Sequence, residues 1–218
     1  MMLILGKLGH FLYWFPFRLK EKMAKLRLPA GVDFKDDLDI GFDSERGYGY
    51  NVTDVHLFRR VMRHLTRKHL PLDQVKLFDV GAGKGALLFE TKKLGVSVLG
   101  GVELSDKMFA VYQKNAELLK IDGIELWHDD ATQLDAKIDK YNTFFLFNPF
   151  GENIMRSFLD VVVRSAQRVP RKIFLLYYNP TCAAVVDEAG FQKRDTLNIP
   201  SAYRYGRPLT ILIYENKL

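Results

Sequence analysis

The sequence predicts an α/β domain, a doubly wound and mostly parallel sheet with helices on both faces, preceded by a helical N-terminal extension. Three observations carry this. From Thr53 onward, short apolar runs alternate with stretches whose apolar residues recur at helical spacing. A glycine-rich turn, Gly81-Ala82-Gly83-Lys84-Gly85, stands where one apolar run passes into a helical stretch. The last two apolar runs have no helical stretch between them, which reads as an antiparallel hairpin at one end of the sheet.

Taken in order, Thr53 is the expected N-cap of a first helix, with Val55, Phe58, Met62 and Leu65 on one face and Arg59, Arg60, Arg63 and Arg67 on others. Residues 75–80 are a short apolar strand, 86–94 a helix and 97–102 a second strand. Ser105 caps the next helix, whose apolar positions are Met108, Val111, Tyr112, Asn115-Ala116 and Leu119. Residues 124–128 form a third strand. Residues 143–147 form a fourth, apolar throughout as a strand buried on both faces should be. Ile154, Phe158, Val161 and Val162 mark a helix, 173–178 a fifth strand, and 181–189 a short helix ended by Gly190. Strands at 191–197 and 209–214, joined through Pro200, Gly206 and Pro208, finish the chain.

The chain's 218 residues suffice for one such domain plus an extension. Hydrophobic residues at 48% and charged residues at 27% give the balance of a globular chain with a full core. Cys182 is the single cysteine, so an intrachain disulfide and a cysteine-based zinc cluster are excluded, and a reducing, cytoplasmic setting is expected. Net charge is +6 and the pI about 9.3. Much of the excess is N-terminal: Lys7, Arg18, Lys20, Lys22, Lys25 and Arg27 face Glu21 alone within residues 1–28. Such charge attracts nucleic acid or anionic lipid, although a solvated helix face is the simpler account. Residues 1–17 are apolar and aromatic but interrupted by Lys7 and His10, short of the ~20 apolar residues that span a bilayer. Positive charge follows the apolar run and Pro16-Phe17-Arg18 offers no small-residue cleavage site, unlike a signal peptide. A helix packed on the α/β domain or on a second copy, as in a homodimer, is the preferred reading; peripheral association with a membrane surface is the other. Residues 29–45, with Pro29, Gly31, Gly41 and six acidic side chains, read as a linker. The expected division is therefore 1–45, extension and acidic linker, and 46–218, the α/β domain.

Four segments carry chemistry. Gly81, Gly83 and Gly85, after Asp79, let the backbone approach a ligand at a helix start; their G-x-G-x-G spacing is not the G-x-G-x-x-G of a dinucleotide fold. Glu103 ends the second strand, 18 residues after Gly85, near the ~20-residue spacing of an acid that binds ribose hydroxyls. Asp129 and Asp130 follow the third strand, where a carboxylate can accept from an adenine amino group. Asn148-Pro149-Phe150 follows the fourth. The Asn148 amide oxygen and a backbone carbonyl can orient an amino group's lone pair, and Phe150 can stack on a flat or cationic substrate. Taken alone, the glycine segment fits a tight turn, Glu103 a solvated carboxylate at a helix start, Asp129-Asp130 a turn, and Asn148-Pro149-Phe150 an Asn-Pro turn with a core aromatic. All four fall at the C-terminal ends of successive strands, the edge where open α/β sheets bind ligands.

In order, Asp79-Val80-Gly81-Ala82-Gly83-Lys84-Gly85, Gly101-Val102-Glu103-Leu104-Ser105, Asp129-Asp130-Ala131 and Phe147-Asn148-Pro149-Phe150-Gly151 resemble motifs I to IV of the class I, Rossmann-like S-adenosylmethionine-dependent methyltransferases. The resemblance covers roughly residues 46–214, and extends less specifically to Tyr177-Tyr178-Asn179-Pro180. It is similar in detail to small bacterial methyltransferases with an Asn-Pro-Phe-Gly fourth motif. It implies a seven-stranded sheet with an antiparallel last strand and S-adenosylmethionine as cofactor. Gly81, Gly83, Gly85 and Asp79 would then hold the methionine portion, Glu103 the ribose and Asp130 the adenine; Asn148 and Pro149 would place the acceptor. The fourth motif also resembles the Asn-Pro-Pro-Tyr/Phe of amino-nitrogen methyltransferases but has a single proline. Gly47-Tyr48-Gly49-Tyr50-Asn51-Val52-Thr53 lacks the proline of the Tyr-x-Pro-Thr element of some lysine methyltransferases.

The acceptor stays open among a protein lysine, a nucleobase and a small amine. Two rival readings are a nicotinamide-dependent oxidoreductase and a non-catalytic module that binds nucleic acid or membrane through its basic N-terminus. No histidine pair has H-E-x-x-H spacing, so no metal is expected, and His56, His64 and His69 read as exposed residues beside arginines. Tyr177, Tyr178 and Tyr203 are either pocket or packing residues.

Overall fold

The computed structural model describes residues 31–33, 53–200 and 208–217. The expected N-terminal helix, most of the acidic linker, the start of the domain at 46, Tyr203 and Gly206 lie outside the described residues.

Apolar strands that must bury both faces need helices on each side, and the chain supplies them between most successive strands. Helix α1 (Val55–Lys68) leads into β1 (Lys76–Val80), α2 (Ala86–Lys93), β2 (Val98–Glu103), α3 (Asp106–Leu119) and β3 (Ile124–His128). Two short 3-10 turns, Ala131–Gln133 and Asp135–Ile138, precede β4 (Thr143–Phe147). Then come α4 (Glu152–Arg168), β5 (Phe174–Tyr178), α5 (Ala183–Glu188), β6 (Phe191–Pro200) and β7 (Pro208–Asn216). The seven strands lie in the order β3-β2-β1-β4-β5-β7-β6. β7 runs antiparallel to both of its neighbours, and the other pairings are parallel.

The hairpin turns back so that its second strand, not its first, enters the sheet beside β5. Burial explains the choice. β7 presents Leu209, Ile211, Leu212, Ile213 and Tyr214, all buried, as an interior strand must. β6 alternates with exposed Gln192, Lys193, Arg194, Thr196 and Asn198 along its length, which suits an edge.

Successive strand residues divide between two cores. Leu77, Phe145, Leu176 and Ile213 face Leu57, Phe58, Val61, Met62, Leu65, Leu88 and Phe89 of α1 and α2. Phe78, Phe144, Leu175 and Tyr214 face Met155, Phe158, Leu159 and Val162 of α4 and Val185 and Val186 of α5. Phe58 meets Phe145 edge-on at 5.6 Å. Each such fully buried side chain contributes about 1.5–3 kcal/mol relative to exposure.

Element ends differ from expectation by one to three residues, and two of the differences have a visible cause. The N-cap of α1 is Asp54, not Thr53: its carboxylate accepts from the backbone N–H groups of His56 and Leu57. Thr53 is buried instead. β6 continues to Pro200, past the expected end at 197, because pairing with β7 persists to Pro200 opposite Pro208.

A candidate cofactor-binding and catalytic edge

Four parallel strands, β3, β2, β1 and β4, end side by side, and each delivers one of the four expected segments to the same edge. At the centre, the backbone N–H groups of Gly81 and Ala82 both donate to the carbonyl of Val102 at 2.9 Å, which folds the glycine turn across the end of β2. Gly81, Gly83 and Gly85 have φ of 77°, 55° and 84°, a region that other residues avoid. Gly85 also has no room for a side chain. A Cβ there would lie 2.4 Å from Tyr112 and 2.9 Å from Phe89, whose rings stack at 5.3 Å beneath it.

Glu103 faces this turn. Its Oε2 accepts from the Gly83 N–H at 2.7 Å and its Oε1 from the Ser105 N–H at 2.8 Å. Each oxygen keeps further acceptor capacity, so the carboxylate is pre-set and can still bind a diol. Burial pushes its carboxyl up, opposed by the N–H bonds from Ser105 and Gly83. Asp79, at the end of β1, is 3% exposed. Burial first, and the Glu103 charge second, push it up to about 8. Among the described residues no cation or hydrogen-bond donor meets the Asp79 carboxyl. A buried acid in that state fits a ligand that brings its own positive charge.

Asp129 and Asp130 divide their work. Asp129 pairs with Lys137 at 2.5 Å and accepts from the Asp130 N–H. Asp130 caps the first 3-10 turn: its Oδ1 accepts from the N–H and the hydroxyl of Thr132, each at 2.8 Å. That leaves the Asp130 Oδ2 for a ligand. Asn148 has φ of 43°, a left-handed turn at the end of β4, and its amide oxygen accepts from the Thr181 hydroxyl. Asn179 repeats the device at the end of β5, with φ of 48° and again before a proline. A Cβ on Gly81 would lie 3.7 Å from Pro149 Cβ, so the first and fourth segments touch.

Phe150 is a correction. It is 5% exposed and packs on Phe158 at 5.8 Å in the α4-side core. Its ring anchors the loop and is not placed to stack on a substrate. Tyr177 and Tyr178 are fully buried packing residues, and the Tyr177 hydroxyl accepts from the Cys182 N–H.

Several residues at or near the edge went unread in the sequence. Lys84 is 1% exposed and pairs with Asp33 at 3.1 Å. Asn115 on α3 holds the same segment: its amide accepts from the Asp33 N–H and donates to the carbonyls of Asp33 and Lys84. An Asp inside an acidic linker gives no sequence signal for this; a buried polar Asn at an apolar helix position does. His64 and His69 are also corrected. They are half-buried rather than exposed, and both meet Asp195 on β6.

No family model matches the chain. Solved structures do share its architecture. Magnesium protoporphyrin IX methyltransferase from Synechocystis PCC 6803, with S-adenosylmethionine bound, superposes with a TM-score of 0.56 at 19% identity, covering 82% of this chain and 92% of that one. The fold is that of the class I methyltransferases. Ribosomal protein L11 methylase from Lactobacillus delbrueckii subsp. bulgaricus gives 0.54 at 18% identity, covering 76% and 81%. The Pyrococcus abyssi tRNA (uracil-54, C5)-methyltransferase, in complex with S-adenosyl-L-homocysteine, gives 0.56 at 13% identity, covering 76% of this chain and 40% of that one. Among the described residues no helix is long and apolar enough to cross a membrane.

Proposed function

We propose that the protein transfers a methyl group from S-adenosylmethionine to an acceptor nitrogen, as a class I methyltransferase similar to the small bacterial members with an Asn-Pro-Phe-Gly fourth motif. The observation that carries the cofactor assignment is the pair of buried carboxylates at the glycine turn. Asp79 lacks a counter-cation among the described residues, and Glu103 occupies the Gly83 N–H. A dinucleotide would bring a pyrophosphate to this turn, against two buried carboxyl groups that it would repel in their ionised form, and with one of its N–H donors already taken. A cationic amino acid moiety meets the opposite situation. The nicotinamide reading therefore loses to electrostatics.

When bound, S-adenosylmethionine supplies a methyl group already activated by its sulfonium centre. The chain's own residues bind and align. Asp79 takes the ammonium of the methionine portion, over the backbone of Gly81, Gly83 and Gly85. Glu103 accepts from the ribose hydroxyls and Asp130, through Oδ2, from the adenine amino group; Asp129 holds the Lys137 side chain and the turn. Asn148 presents its amide oxygen and carbonyl to the acceptor N–H groups, with Thr181 fixing the amide and Pro149 the turn. Alignment of this kind accounts for most of what such a site must contribute.

Among acceptors, nucleic acid is favoured over a protein lysine or a small amine by α1. Arg60, Arg63 and Arg67 lie on one exposed stripe and pair with no carboxylate among the described residues. Such a stripe attracts a phosphate backbone. Incubating the full chain with methyl-labelled S-adenosylmethionine and fractionated cell extract tests the reading. Label in the nucleic-acid fraction is expected. Label in protein or small molecules would overturn the acceptor class, and no label in any fraction would favour a non-catalytic binding module.

A further inference from the structure

On the α1 face of the sheet, beside the edge strand β6, three metal-ligating side chains converge that are far apart in sequence. His64 lies on α1, and His69 follows its last turn as the C-cap. Asp195 comes from β6. Its Oδ2 lies 3.0 Å from His64 Nε2 and 2.5 Å from His69 Nε2, and the three ligand atoms all fall within 4.8 Å of one another. The side chains are 18–21% exposed, sheltered but open to a water.

The β-strand is shaped for this contact. The pairing of β6 with β7 shifts between Lys193 and Asp195. Phe191, before the shift, belongs to the α4-side core, whereas Leu197 and Ile199, after it, belong to the α1-side core. Uninterrupted alternation would have put Phe191, Asp195 and Ile199 on one face. The bulge turns Asp195 to the α1 side, and bulges commonly re-aim a side chain in this way. On the helix side, the His69 ring packs against Phe174 at 5.8 Å, and this ring contact limits its rotation.

We propose that His64, His69 and Asp195 form a binding site for a divalent transition cation of the zinc class. Two imidazole nitrogens and one carboxylate oxygen are ligands of the kind zinc prefers, and a water completes four-coordination. At usual zinc–ligand distances, tetrahedral ligand atoms lie about 3.3 Å apart. The two nitrogen–carboxylate distances need only open by under about 1 Å to reach this, and the two nitrogens lie within 4.8 Å of each other. Each neutral imidazole keeps one proton, so ligation through Nε2 moves that proton to Nδ1. Lys68, 3.6 Å from Asp195 Oδ1 and 57% exposed, competes for the second oxygen and can swing into solvent.

The site's place in the fold argues for a structural role. His69 packs on Phe174 at the start of β5, whereas the candidate catalytic edge lies at the strand's other end, roughly 13 Å from Phe174 along the strand. A cation here would staple α1 to the edge strand β6 and would stabilise the folded state by mass action.

The test is zinc chloride titrated by calorimetry into chelator-treated full-length protein, with cobalt(II) absorption as a second readout. One equivalent is expected to bind at micromolar or tighter affinity, to raise the melting temperature, and to give visible cobalt bands. His64→Gln and Asp195→Asn should each weaken binding at least tenfold, while His128→Ala, outside the cluster, should not. His64→Gln keeps a half-buried polar side chain on a stable helix and so guards against loss of folding in the Asp195 variant. Absence of zinc binding by the unaltered protein at millimolar cation, or affinity in both variants unchanged from that of the unaltered protein, would overturn the proposal.

Discussion

Asp79 carries a pH dependence that follows from its burial. Its folded pKa, pushed up to about 8, lies above the ordinary carboxyl value of 3.8. Such a group favours folding fully below the unfolded value and loses that contribution as pH rises through the folded one. The free protein should therefore become less stable between about pH 4 and pH 8 through this residue. Asp79→Asn should flatten that slope in thermal melts at a series of pH values and weaken cofactor binding; an unchanged slope would remove Asp79 as its source. Glu103 is a second case. Its two N–H partners make it part of the turn's structure as well as a ligand for ribose. Glu103→Ala should weaken cofactor binding by about 1–3 kcal/mol and also lower the melting temperature, since two backbone donors lose their partner. Unchanged affinity would show that the ribose lies elsewhere. For Asn148, alanine should leave cofactor affinity nearly intact and reduce turnover on the order of 10²-fold. If Asn148 only shapes the turn, melting temperature falls and turnover per folded molecule does not. These residues were legible because each sits at a strand end in a sequence-local motif. Asp33, Thr181 and the His64–His69–Asp195 cluster were not, since their partners come from 33 to 131 residues away.

At the scale of elements, the glycine turn and the helix behind it form one packing unit. The stacked rings of Phe89 and Tyr112 fill the space a Gly85 side chain would need. Gly85→Ala should cost several kcal/mol of stability, from the strained φ together with displacement of two buried rings. A denaturant melt checks this, and a loss under ~1 kcal/mol would mean the rings move freely. Helical spacing and apolar runs located every long helix and every strand, because burial of one face or two dictates those patterns. The short 3-10 turns after β3 escaped, being held by Asp130 and by local backbone bonds rather than by a periodic apolar face. The cap of α1 was misplaced by one residue because Thr53 and Asp54 are both good caps, and only the fold shows that Thr53 is buried.

In the whole molecule, sheet order is what assembles the candidate site. Placing β1 between β2 and β4 sets Asp79, Glu103 and Asn148 on one edge, and the same order makes β6, which carries Asp195 of the proposed cation site, the outermost strand. The strand sequence made the hairpin legible, but not that β7 inserts beside β5; that follows from comparing β7's apolar run with β6's polar alternation. The measurement that tests the central claim most directly is calorimetric titration of S-adenosylmethionine into the full chain, in two buffers of different ionisation enthalpy at pH 7. One equivalent should bind and raise the melting temperature. A proton should leave as the cofactor's ammonium meets Asp79, so the observed heat should differ between buffers. No binding at millimolar S-adenosylmethionine, with NAD binding instead, would contradict the account.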